Sequence, residues 1–460
     1  MRTDSMEKFI NEPARKIPVV REVDVIVVGA GVAGIAAAVA AGRNGAKTIL
    51  VERYGCIGGT MSGVPMKWVG GYNPQAHGGI IREFIKRARA DKGVIREFYI
   101  PTVNGNMVGI HVDSMKKIVQ EMLDAAEVEL ILHAWCVNVA RNAGGDMIDG
   151  VIIESKSGRQ ALTGKIIIDA SGDGDVAAMA GAPYEKGRES DGKTQPMTAY
   201  GPHMLNVDTE KLFKFLKSYK ENNPDDLMEC DISLPDFTFG GFSRLLEKAR
   251  KEKGIYLDYN SIWLNCNMEQ HSVNIDGSFV PNVDGTNVFD LTYAETESVK
   301  QVSSFENFAK KYLVGFENSQ RTDRGGFSIG VRETRRIMGK YVITEDDILN
   351  GQSFEDGICK NTTAMDVHSP DGTQNWTPAK CYDIPFRTLV NDRVSNLLVA
   401  GRCISCTHKA LASVRFIPPC MGTGEAAGTA AALSVAGGTP LTMLDSHELR
   451  EKLLKQGVIL

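Results

Sequence analysis

Three glycines and one glutamate give the clearest chemical signal in this sequence of 460 residues. Gly29, Gly31 and Gly34 form the pattern Gly-x-Gly-x-x-Gly directly after the apolar run at 24–28. In this pattern the first glycine permits a tight turn, the second lets the backbone approach a pyrophosphate, and the third lets a helix pack close to a strand. Helix N-terminal amides can bind the phosphates, and Glu52 can accept hydrogen bonds from a ribose diol. The spacing therefore predicts a dinucleotide-binding site.

The elements that must position this motif are predicted in the order strand, helix, strand. Residues 24–28 are the kind of continuous apolar run that is buried in a parallel sheet. A small-residue helix follows from about Gly31 to Arg43, with Ala33 in its first turn, and the second strand covers 48–51. A chance glycine-rich turn would not have all of these neighbours.

The glycine motif alone does not separate FAD from NAD, but the residues after Glu52 do. They resemble the segment of two-dinucleotide-binding flavoproteins in which a basic residue and a Gly-Gly pair wrap the FAD diphosphate. A plain NAD dehydrogenase does not need such a segment, and the alternative is an ordinary loop. The resemblance implies FAD-binding roles for Arg53, Gly58, Gly59 and Thr60.

A second glycine pattern spans Gly172 to Ala177, after a strand predicted at 165–170. As a nucleotide loop for NAD(P)H it would place Asp173 and Asp175 beside a pyrophosphate, which is electrostatically unfavourable. No second strand with a ribose acid follows at the right distance, so direct use of NAD(P)H is not indicated. Resemblance to the strand end that closes the FAD site of flavoproteins implies cofactor-binding roles for Asp169, Ser171, Gly172 and Asp173.

A third segment, near the C-terminus, supplies the other half of the predicted site. A strand ending at residue 400 delivers Gly401 and Arg402 to the flavin. Gly422, Thr423 and Gly424 are predicted to open a helix whose dipole and amides suit the electron-rich flavin pyrimidine edge. That arrangement supports hydride acceptance at flavin N5.

Three side chains are the candidate catalytic groups. His408 follows Arg402 and could exchange the proton that accompanies hydride transfer, although a structural histidine bonded to backbone is the alternative. Arg415 and Arg332 could bind a substrate carboxylate or polarise a carbonyl. The alternative is that Arg332 and Arg402 anchor FAD phosphates or domain contacts, the role we favour for Arg336. Weaker proton-donor candidates are Tyr341, Tyr382 and His77.

Cys403 and Cys406 have the C-x-x-C spacing of a redox dithiol. In glutathione-reductase-like enzymes the dithiol lies in the N-terminal half, where this sequence has only Cys56. We therefore favour two small buried residues and keep redox use as the alternative. The other cysteines are too dispersed to complete a zinc or iron–sulfur site, so we expect no metal.

Taken together, these segments resemble a family of bacterial FAD-dependent oxidoreductases with a C-terminal GRCIS-x-TH signature, related to the fumarate-reductase and glutathione-reductase type of flavin fold. Cys406 departs from the small residue expected there. The resemblance implies flavin redox chemistry on a small molecule and does not specify the substrate. The matching pieces lie, in order, at 17–60, 165–200, 326–344 and 382–433.

The predicted fold class is α/β, with a doubly wound, Rossmann-like FAD-binding domain. This domain is discontinuous: residues 1–195 and 381–460 form it, and an inserted α+β substrate domain occupies 196–380. The composition of the middle region shifts toward Asn, Asp and aromatic residues. The flavin is expected in the cleft between the domains, where the carboxyl ends of parallel strands meet.

Composition limits the partners. The net charge of -5 gives no basic field for nucleic acid, and no apolar run is long enough to cross a bilayer. The polar first 18 residues lack the apolar core of a secretory signal, so we expect a cytoplasmic protein with free thiols among its nine cysteines. The expected partners are a small-molecule substrate and an electron donor or acceptor of unknown class, with a homo-oligomer kept open.

The function predicted from the sequence is hydride transfer between flavin N5 and a small organic substrate. The reaction is either a dehydrogenation or the reduction of an alkene or a conjugated carbonyl. Two alternatives remain: a flavin monooxygenase that forms a hydroperoxide, and an electron-transfer subunit of a larger redox complex. The second alternative predicts cysteine clusters for iron–sulfur centres.

Overall fold

The computed structural model describes residues 10–64, 66–199, 201–253, 255, 260–322 and 328–460. Residues 1–9, part of the segment used to argue against a secretory signal, lie outside the described residues. So do Tyr200 and residues 326–327, which end or begin two of the family-like pieces. None of the described helices combines the length and apolar character needed to cross a membrane.

The described strands, in chain order, are β1 (Val19–Val28), β2 (Thr48–Val51), β3 (Trp68–Tyr72), β4 (Val94–Ile100), β5 (Gly105–Ile110), β6 (Glu129–Ile131), β7 (Trp135–Arg141), β8 (Ile148–Ser155), β9 (Gly158–Asp169), β10 (Tyr184–Lys186), β11 (His203–Leu205), β12 (Leu227–Ser233), β13 (Asp236–Gly241), β14 (Ile262–Asn267), β15 (Ser272–Asp276), β16 (Gln320–Arg321), β17 (Arg335–Ile337), β18 (Gly357–Asn361), β19 (Met365–His368), β20 (Gln374–Thr377), β21 (Tyr382–Pro385) and β22 (Leu397–Val399).

The described α-helices are α1 (Val32–Arg43), α2 (Thr60–Gly63), α3 (Gly79–Ala90), α4 (Val112–Ala125), α5 (Asp175–Met179), α6 (Thr209–Asn222), α7 (Ser243–Lys251), α8 (Val288–Tyr312), α9 (Glu345–Asn350), α10 (His408–Val414), α11 (Ile417–Gly437) and α12 (Ser446–Lys455). Short 3₁₀ turns lie at Phe386–Thr388, Gly401–Cys403 and Leu441–Met443.

A seven-stranded sheet carries the predicted glycine motif. Its order is β6-β2-β1-β9-β8-β7, and β22 also pairs with β9. Strands β6, β2, β1, β9 and β22 run parallel, with Val28 beside both Val51 and Asp169, and Val399 also beside Asp169. The carboxyl ends of four strands therefore meet at one edge, which brings the segments that follow Val28, Val51, Asp169 and Val399 together. The predicted α/β fold class with a Rossmann-like sheet is confirmed.

The first helix and the strand after it form where the apolar pattern predicts them, and β1 begins earlier, at Val19. One predicted helix start is wrong. Helix α11 begins at Ile417 rather than at Gly422, because Pro418 and Pro419 occupy its first turn, where a missing N–H costs nothing.

Residues of the middle region form a second hydrophobic core. The sheet β12-β13-β14-β15-β11-β16 packs with α6, α7 and α8, and its buried side chains run from Met204 to Phe316. Side chains between Ile337 and Ala379 pack into the first core instead. The separate α+β core therefore includes only the first part of the predicted insertion. The domain boundaries at 195/196 and 380/381 stay a prediction.

Helix α11 joins the C-terminal part of the chain to the first helix at very short range. A Cβ atom at Gly424 would lie 2.1 Å from the Ala33 carbonyl oxygen, and one at Gly428 would lie 2.0 Å from that of Ala37. Side chains at these glycines would force the two helices apart. The backbones of α1 and α11 are thus in direct contact.

Glu425, on the same helix, is a buried carboxyl group with a structural contact. The Ile80 amide in the first turn of α3 donates to its Oε2 at 2.8 Å, which satisfies one of the unpaired amides at that helix end. Burial raises the pKa of Glu425 to about 8, against the opposing effect of this hydrogen bond. The carboxyl group is therefore harder to ionise in the folded protein than in the unfolded chain.

We predict that Glu425→Gln changes the pH dependence of stability. Because the folded pKa lies above the unfolded value of 4.5, the wild type loses stability as the pH rises from there through about 8. Glutamine keeps the acceptor for Ile80 and cannot ionise. Denaturant unfolding should show similar stabilities at pH 5 and a variant more stable by roughly 1–4 kcal/mol at pH 9.

The exposed substitution Glu355→Gln is the control, since it removes the same charge without the burial. A Glu425→Gln variant whose stability changes equally at both pH values would contradict the account.

Candidate active site

The three motif glycines are needed for different reasons. Gly29 has a φ of +100°, and a Cβ there would lie 2.5 Å from the Ala170 carbonyl oxygen. A Cβ at Gly34 would lie 1.8 Å from the Gly29 oxygen. In contrast, a Cβ at Gly31 would meet no atom of the described residues within 4 Å. The chain's own packing requires Gly29 and Gly34, whereas Gly31 leaves open space at the N-cap of α1, where a pyrophosphate is predicted.

The second glycine loop closes on the first. The Gly58 amide donates to the Ala30 carbonyl at 2.8 Å, and a Cβ at Gly59 would lie 3.0 Å from the Gly31 Cα. Gly59 is the N-cap of the short helix α2, which starts at Thr60. The loop with Gly58 and Gly59 and the loop with Ala30 and Gly31 are separate in sequence but adjacent in the structure. Together they form a cradle of backbone, the glycine cradle, around the open space at Gly31.

Glu52 is held at the end of β2 with its carboxylate fixed by two amides. Ala30 donates to Oε2 at 2.7 Å, and Tyr54 donates to Oε1 at 2.9 Å. Each carboxylate oxygen keeps further acceptor capacity. The position at the strand end beside the glycine turn suits a ribose diol, as the sequence predicts.

Asp173 forms a charged group with the two predicted cofactor arginines. The Arg402 guanidinium donates to Asp173 at 2.7 Å, and Arg53 lies 3.9 Å from the other carboxylate oxygen. The Thr334 hydroxyl also donates to Asp173, at 2.9 Å. The negative charge that argued against a nucleotide loop is thus paired, and a Cβ at Gly172 would lie 2.9 Å from the Arg402 side chain.

Asp169 and Ser171 make their observed contacts within the chain. Asp169 is fully buried and accepts from the amide and hydroxyl of Ser171 and from the Ala177 amide, at 2.7–3.0 Å. Burial raises the pKa of Asp169 to about 6 against these hydrogen bonds. These contacts fix the loop between β9 and α5, and direct contact of the two residues with FAD stays a prediction.

The C-terminal glycine segment lies inside α11 rather than at its N-terminus. The Gly401 amide donates to the Thr423 hydroxyl at 3.1 Å. A Cβ at Gly422 would lie 3.0 Å from the Cys359 side chain, while Gly424 faces α1 as described above. The three residues thus hold α11 against its neighbours and hold the Gly401 turn in place. Contact of Gly422, Thr423 and Gly424 with FAD stays a prediction.

His408 lies in a buried charged cluster, which we call the Glu333 cluster: His408, Glu333, Arg336 and Gln195. His408 Nδ1 is 2.8 Å from Glu333 Oε2, although it is not aligned there for a hydrogen bond. The same oxygen accepts from the Gln195 amide at 2.9 Å, and Arg336 donates to the other oxygen. Glu333 and Arg336 are almost completely buried. A buried carboxylate therefore faces the imidazole at ion-pair distance.

Arg415 lies in a second charged cluster, the Asp366 cluster: Arg415, Asp366, His368 and Gln374. Arg415 Nη2 donates to the Asp366 carbonyl and carboxylate at 2.9 and 3.0 Å. His368 Nε2 is 2.9 Å from the same carboxylate oxygen, and Gln374 donates to the other at 2.8 Å. These contacts fix the side chains of Asp366 and His368, which both lie on β19.

The charge states of the Asp366 cluster follow from burial and contact. Burial alone would raise the pKa of Asp366, but His368 and Arg415 hold it well below its usual range. Burial, together with the nearby positive charge of Arg332, lowers the pKa of His368 to about 4 despite the opposing effect of Asp366. At neutral pH the cluster therefore contains an ionised Asp366, a neutral His368 and a charged Arg415.

Gln195 connects the two clusters. Its backbone amide donates to Glu333, and its side-chain oxygen accepts from the backbone amide of His368 at 3.4 Å. Arg332, next to Glu333 in sequence, donates to the Pro196 carbonyl at 2.7 Å. The structure thus brings the three predicted catalytic residues, His408, Arg415 and Arg332, into one polar network.

Besides Gln374, four members of this network were not predicted as site residues. Glu333 and Gln195 lie in segments that carried the family resemblance, so a signal was present without a role attached to it. Asp366 and His368 lie in no motif, although their i, i+2 spacing would have placed them on one face of a strand. These four residues hold the predicted catalytic side chains in place.

The weaker proton-donor candidates are occupied elsewhere. The Tyr341 hydroxyl donates to Asp347 at 2.9 Å, and burial raises its pKa to about 12. Tyr382 is fully buried, and its hydroxyl contacts Ser413 and Asn361 at 2.8 Å. His77 Nδ1 accepts from the Asn73 amide at 2.9 Å, and burial lowers its pKa to about 4. These contacts tie each of the three side chains to its neighbours in the chain, and a proton-donor role for any of them stays a prediction.

Cys403 and Cys406 are both fully buried. Burial raises the pKa of each thiol, that of Cys406 to about 12. Their Sγ atoms contact backbone carbonyls, at 3.7 Å from Ala400 and 3.5 Å from Ile404. A redox thiol needs an accessible thiolate. These features support the structural reading of both cysteines.

The glycine cradle, the strand-end carboxylate and the parallel sheet define a dinucleotide-binding flavoprotein. A family model described as FAD dependent oxidoreductase matches residues 24–453. The chain belongs to this family of FAD-dependent oxidoreductases, and FAD is its cofactor. A comparison with curated proteins finds no match.

Solved structures similar to this chain are remote in sequence. A geranylgeranyl bacteriochlorophyll reductase-like protein from Thermoplasma acidophilum shares 14% identity over 95% of this chain and 84% of its own, with a TM-score of 0.49. The flavin-dependent brominase Bmp2 shares 13% over 94% and 83%, also at 0.49. A flavoprotein/dehydrogenase from Cytophaga hutchinsonii shares 13% over 91% and 79%, at 0.43.

We predict that Gly31→Val abolishes FAD loading without preventing folding. Its backbone is in an ordinary region, with a φ of -71°, and in the part of the chain that the structure describes no atom would clash with the first side-chain carbon. The side chain would instead occupy the open space of the cradle. The variant should purify as folded, colourless protein by circular dichroism and visible absorbance.

Gly34→Ala is the contrasting variant, because its clash with Gly29 would disturb the turn itself and reduce the yield of folded protein. A yellow Gly31→Val protein with a full complement of FAD would show that the cradle does not bind the diphosphate.

We also predict that Cys403→Ser and Cys406→Ser, singly or together, leave anaerobic flavin reduction mostly unchanged. The buried, protonated thiols described above have no part in electron transfer. Rapid-mixing measurements on FAD-loaded protein test this. Loss of flavin reduction in a variant that still binds FAD would establish the dithiol alternative.

Proposed function

We propose that this chain transfers a hydride between flavin N5 and a small organic substrate, with His408 as the proton-exchanging group. The observation that carries the proposal is the ion-pair contact between His408 and Glu333, both of which are buried. His408 lies on the segment that follows the Gly401 turn. FAD supplies the N5 position that accepts or donates the hydride when it is bound. The remaining chemistry is the movement of a proton and the positioning of the substrate.

Glu333 supports the role of His408 in two ways. Its carboxylate, 2.8 Å from Nδ1, lies where it stabilises a positive charge when the imidazole takes up a proton. Arg336 and the Gln195 amide hold the carboxylate in turn, so its position does not depend on His408. Glu333 is thus a positioning residue, and the second ring nitrogen of His408 is the one proposed to exchange a proton with the substrate.

Arg415 and Arg332 are proposed to bind or polarise the substrate. Both guanidinium groups are anchored, Arg415 by Asp366 and Arg332 by the Pro196 carbonyl. Anchored guanidinium groups offer fixed, planar sets of donors, which suits a carboxylate or a carbonyl oxygen.

We further propose that the electrons do not come directly from NAD(P)H.

The proposed partners are limited to small molecules and copies of this chain. A net charge of -5 does not favour nucleic acid. We propose a cytoplasmic protein without a metal, which exchanges electrons with a small-molecule donor or acceptor and can form a homo-oligomer.

A library of small metabolites, tested by anaerobic bleaching of the FAD-loaded protein, gives the first test. We expect at least one organic compound to bleach the flavin, whereas NADH and NADPH react slowly or not at all. Rapid bleaching by NADPH followed by oxygen-dependent product formation would favour the monooxygenase alternative instead.

We predict that His408→Ala keeps FAD but slows single-turnover flavin reduction by about 100- to 10,000-fold, the usual contribution of a general acid or base. The lost step is proton exchange, so the pH profile of the reduction rate should also flatten. The exposed His447→Ala is the control and should retain the wild-type rate.

The alternative of a purely structural histidine makes a different prediction. Under that alternative His408→Ala lowers the melting temperature or the flavin content, and the rate and pH profile of the loaded fraction stay unchanged. That result would move the proton-exchanging role away from His408.

A further inference from the structure

Helix α8 carries four large apolar side chains that are open to solvent. Val288 and Val299 are each 65% exposed, Phe289 is 81% exposed and Tyr293 is 53% exposed. Single exposed apolar residues are normal on a protein surface, whereas a contiguous group of them marks an interaction site. Whether these four side chains form such a group depends on how they are arranged around the helix.

The four side chains lie on one face of the helix. With 3.6 residues per turn, positions three or four apart project in the same direction. Eight exposed residues follow this spacing along the first four turns, within an arc of about 140° around the helix axis. Lys300 is the one charged residue among them. We call this set the α8 face: Val288, Phe289, Thr292, Tyr293, Thr296, Val299, Lys300 and Ser303.

The opposite side of the same part of α8 is also apolar. Ala294 is completely buried and belongs to a small core with Met197 and Ile329, against which Leu291 also packs. A helix that is apolar on both sides is normally covered on both sides. The first half of α8 therefore has one covered apolar side and one that is open among the described residues.

The charges at the ends of α8 favour an antiparallel copy of the same helix as the occupant of this face. Asp290 lies in the first turn, and Lys310 and Lys311 lie in the last turn. Asp284 precedes the helix, and its amide donates to Asp290 at 2.8 Å. A second α8 that runs the opposite way brings its basic end toward this acidic end, and the two helix dipoles are then antiparallel. A parallel alignment would bring like charges together.

The α8 face is also complementary to itself in size. Thr296 lies near the middle of the face, so a twofold axis there relates the two halves of the face to each other. Tyr293 of one copy then lies opposite Val299 of the other, and Phe289 lies opposite Ser303. A large side chain thus meets a smaller one at each position, and a threonine lies where the two helices are nearest.

The area and polarity of the α8 face suit the centre of a dimer interface. At their exposed fractions the four large side chains offer roughly 400–500 Å² of surface, and one partner of a stable pair buries about 800 Å², with aromatic residues enriched at its centre. The hydroxyls of Thr292 and Thr296 donate to carbonyls of α8 itself, at 2.8 and 3.0 Å, so they need no acceptor from a partner. The face can therefore be covered without leaving these donors unpaired.

From these observations we infer that two copies of this chain associate through the α8 face, with the two α8 helices antiparallel and Thr296 near the twofold axis. The inference rests on the homo-oligomer proposed above and names the surface that forms it. It makes no use of the proposed hydride transfer.

The first test is the oligomeric state of the FAD-loaded protein, measured by light scattering and sedimentation over a wide range of protein concentration. We expect a dimer. Phe289→Asp places a carboxylate within the α8 face and should weaken dimerisation by about 100-fold or more, because aromatic anchors carry much of the binding energy of an interface. Met443→Asp is the matched control and should stay dimeric, because Met443 is 74% exposed and lies outside α8.

A crosslink tests the antiparallel arrangement. Thr296→Cys places a thiol near the twofold axis, where the two Cα atoms should come within the roughly 4–7 Å that a disulfide spans. Mild oxidation should therefore join the two subunits. Thr442→Cys is the control, because Thr442 is also an exposed threonine and lies outside α8. It should give no more crosslinked dimer than the wild type.

Several outcomes would overturn the inference. They are a wild type that stays monomeric at every concentration, including one that binds lipid vesicles through this face instead, and a dimer that Phe289→Asp leaves intact. A dimer in which Thr296→Cys forms no disulfide would overturn the antiparallel arrangement. Melting temperatures identify a Phe289→Asp protein that fails to fold, and Val299→Lys, at a position that is 65% exposed, then decides the matter.

The failure of this inference is distinguishable from that of the proposed function. A dimer that forms through another surface contradicts the inference and leaves the proposed homo-oligomer standing, whereas a monomer contradicts both. Neither result changes the outcome of flavin bleaching, which is measured on the same FAD-loaded protein. Rapid reduction by NADPH in a protein that dimerises through the α8 face contradicts the proposed reaction alone.

Discussion

The contact between α1 and α11 determines how the rest of the structure is arranged. At Gly424 and Gly428 the two helix backbones meet with no room for a side chain between them. This contact joins residues from opposite ends of the sequence and holds the Gly401 turn beside the first helix, since Thr423 on α11 binds the Gly401 amide. The glycine cradle and the Gly401 turn that leads to His408 are therefore both in contact with α11 or its neighbour α1.

Carboxylates are paired with arginines in both parts of the site. Near the cradle, Asp173 is paired with Arg402 and lies close to Arg53, so its negative charge is compensated beside the predicted diphosphate region. In the active-site network, Arg336 is paired with Glu333 and Arg415 with Asp366. Neither of these arginines is therefore held without a carboxylate beside it.

Local sequence patterns were sufficient to predict the cradle. The apolar strands, the glycine spacing and Glu52 act over short distances, and strand pairing brings their ends together in the one way that a parallel sheet allows. The prediction that α11 opens at Gly422, beside the flavin pyrimidine edge, is wrong because Gly422 and Gly424 lie inside the helix. Gly424 allows close packing against α1 and Gly422 against Cys359, and Pro418 in the first turn was the better signal for the helix start.

The support of the active site could not be predicted in the same way. Asp366 acquires Arg415 from the C-terminal end of α10, and the side-chain oxygen of Gln195 accepts from the backbone amide of His368, a contact that no local pattern encodes. Such contacts depend on which strands and helices pack together, and polar side chains without a motif give no indication of their partners. The candidate catalytic residues could therefore be named from the sequence, whereas the residues that contact them are found only in the folded chain.

The central claim is that a hydride passes directly between the substrate carbon and flavin N5. Its most direct test is the primary deuterium isotope effect on anaerobic flavin reduction, measured by rapid mixing with a reducing substrate labelled at the carbon that is oxidised. The account predicts a slower single phase of flavin bleaching with the labelled substrate and no need for oxygen. Flavin reduction that is insensitive to the label, with product formed only when oxygen is added, would contradict it.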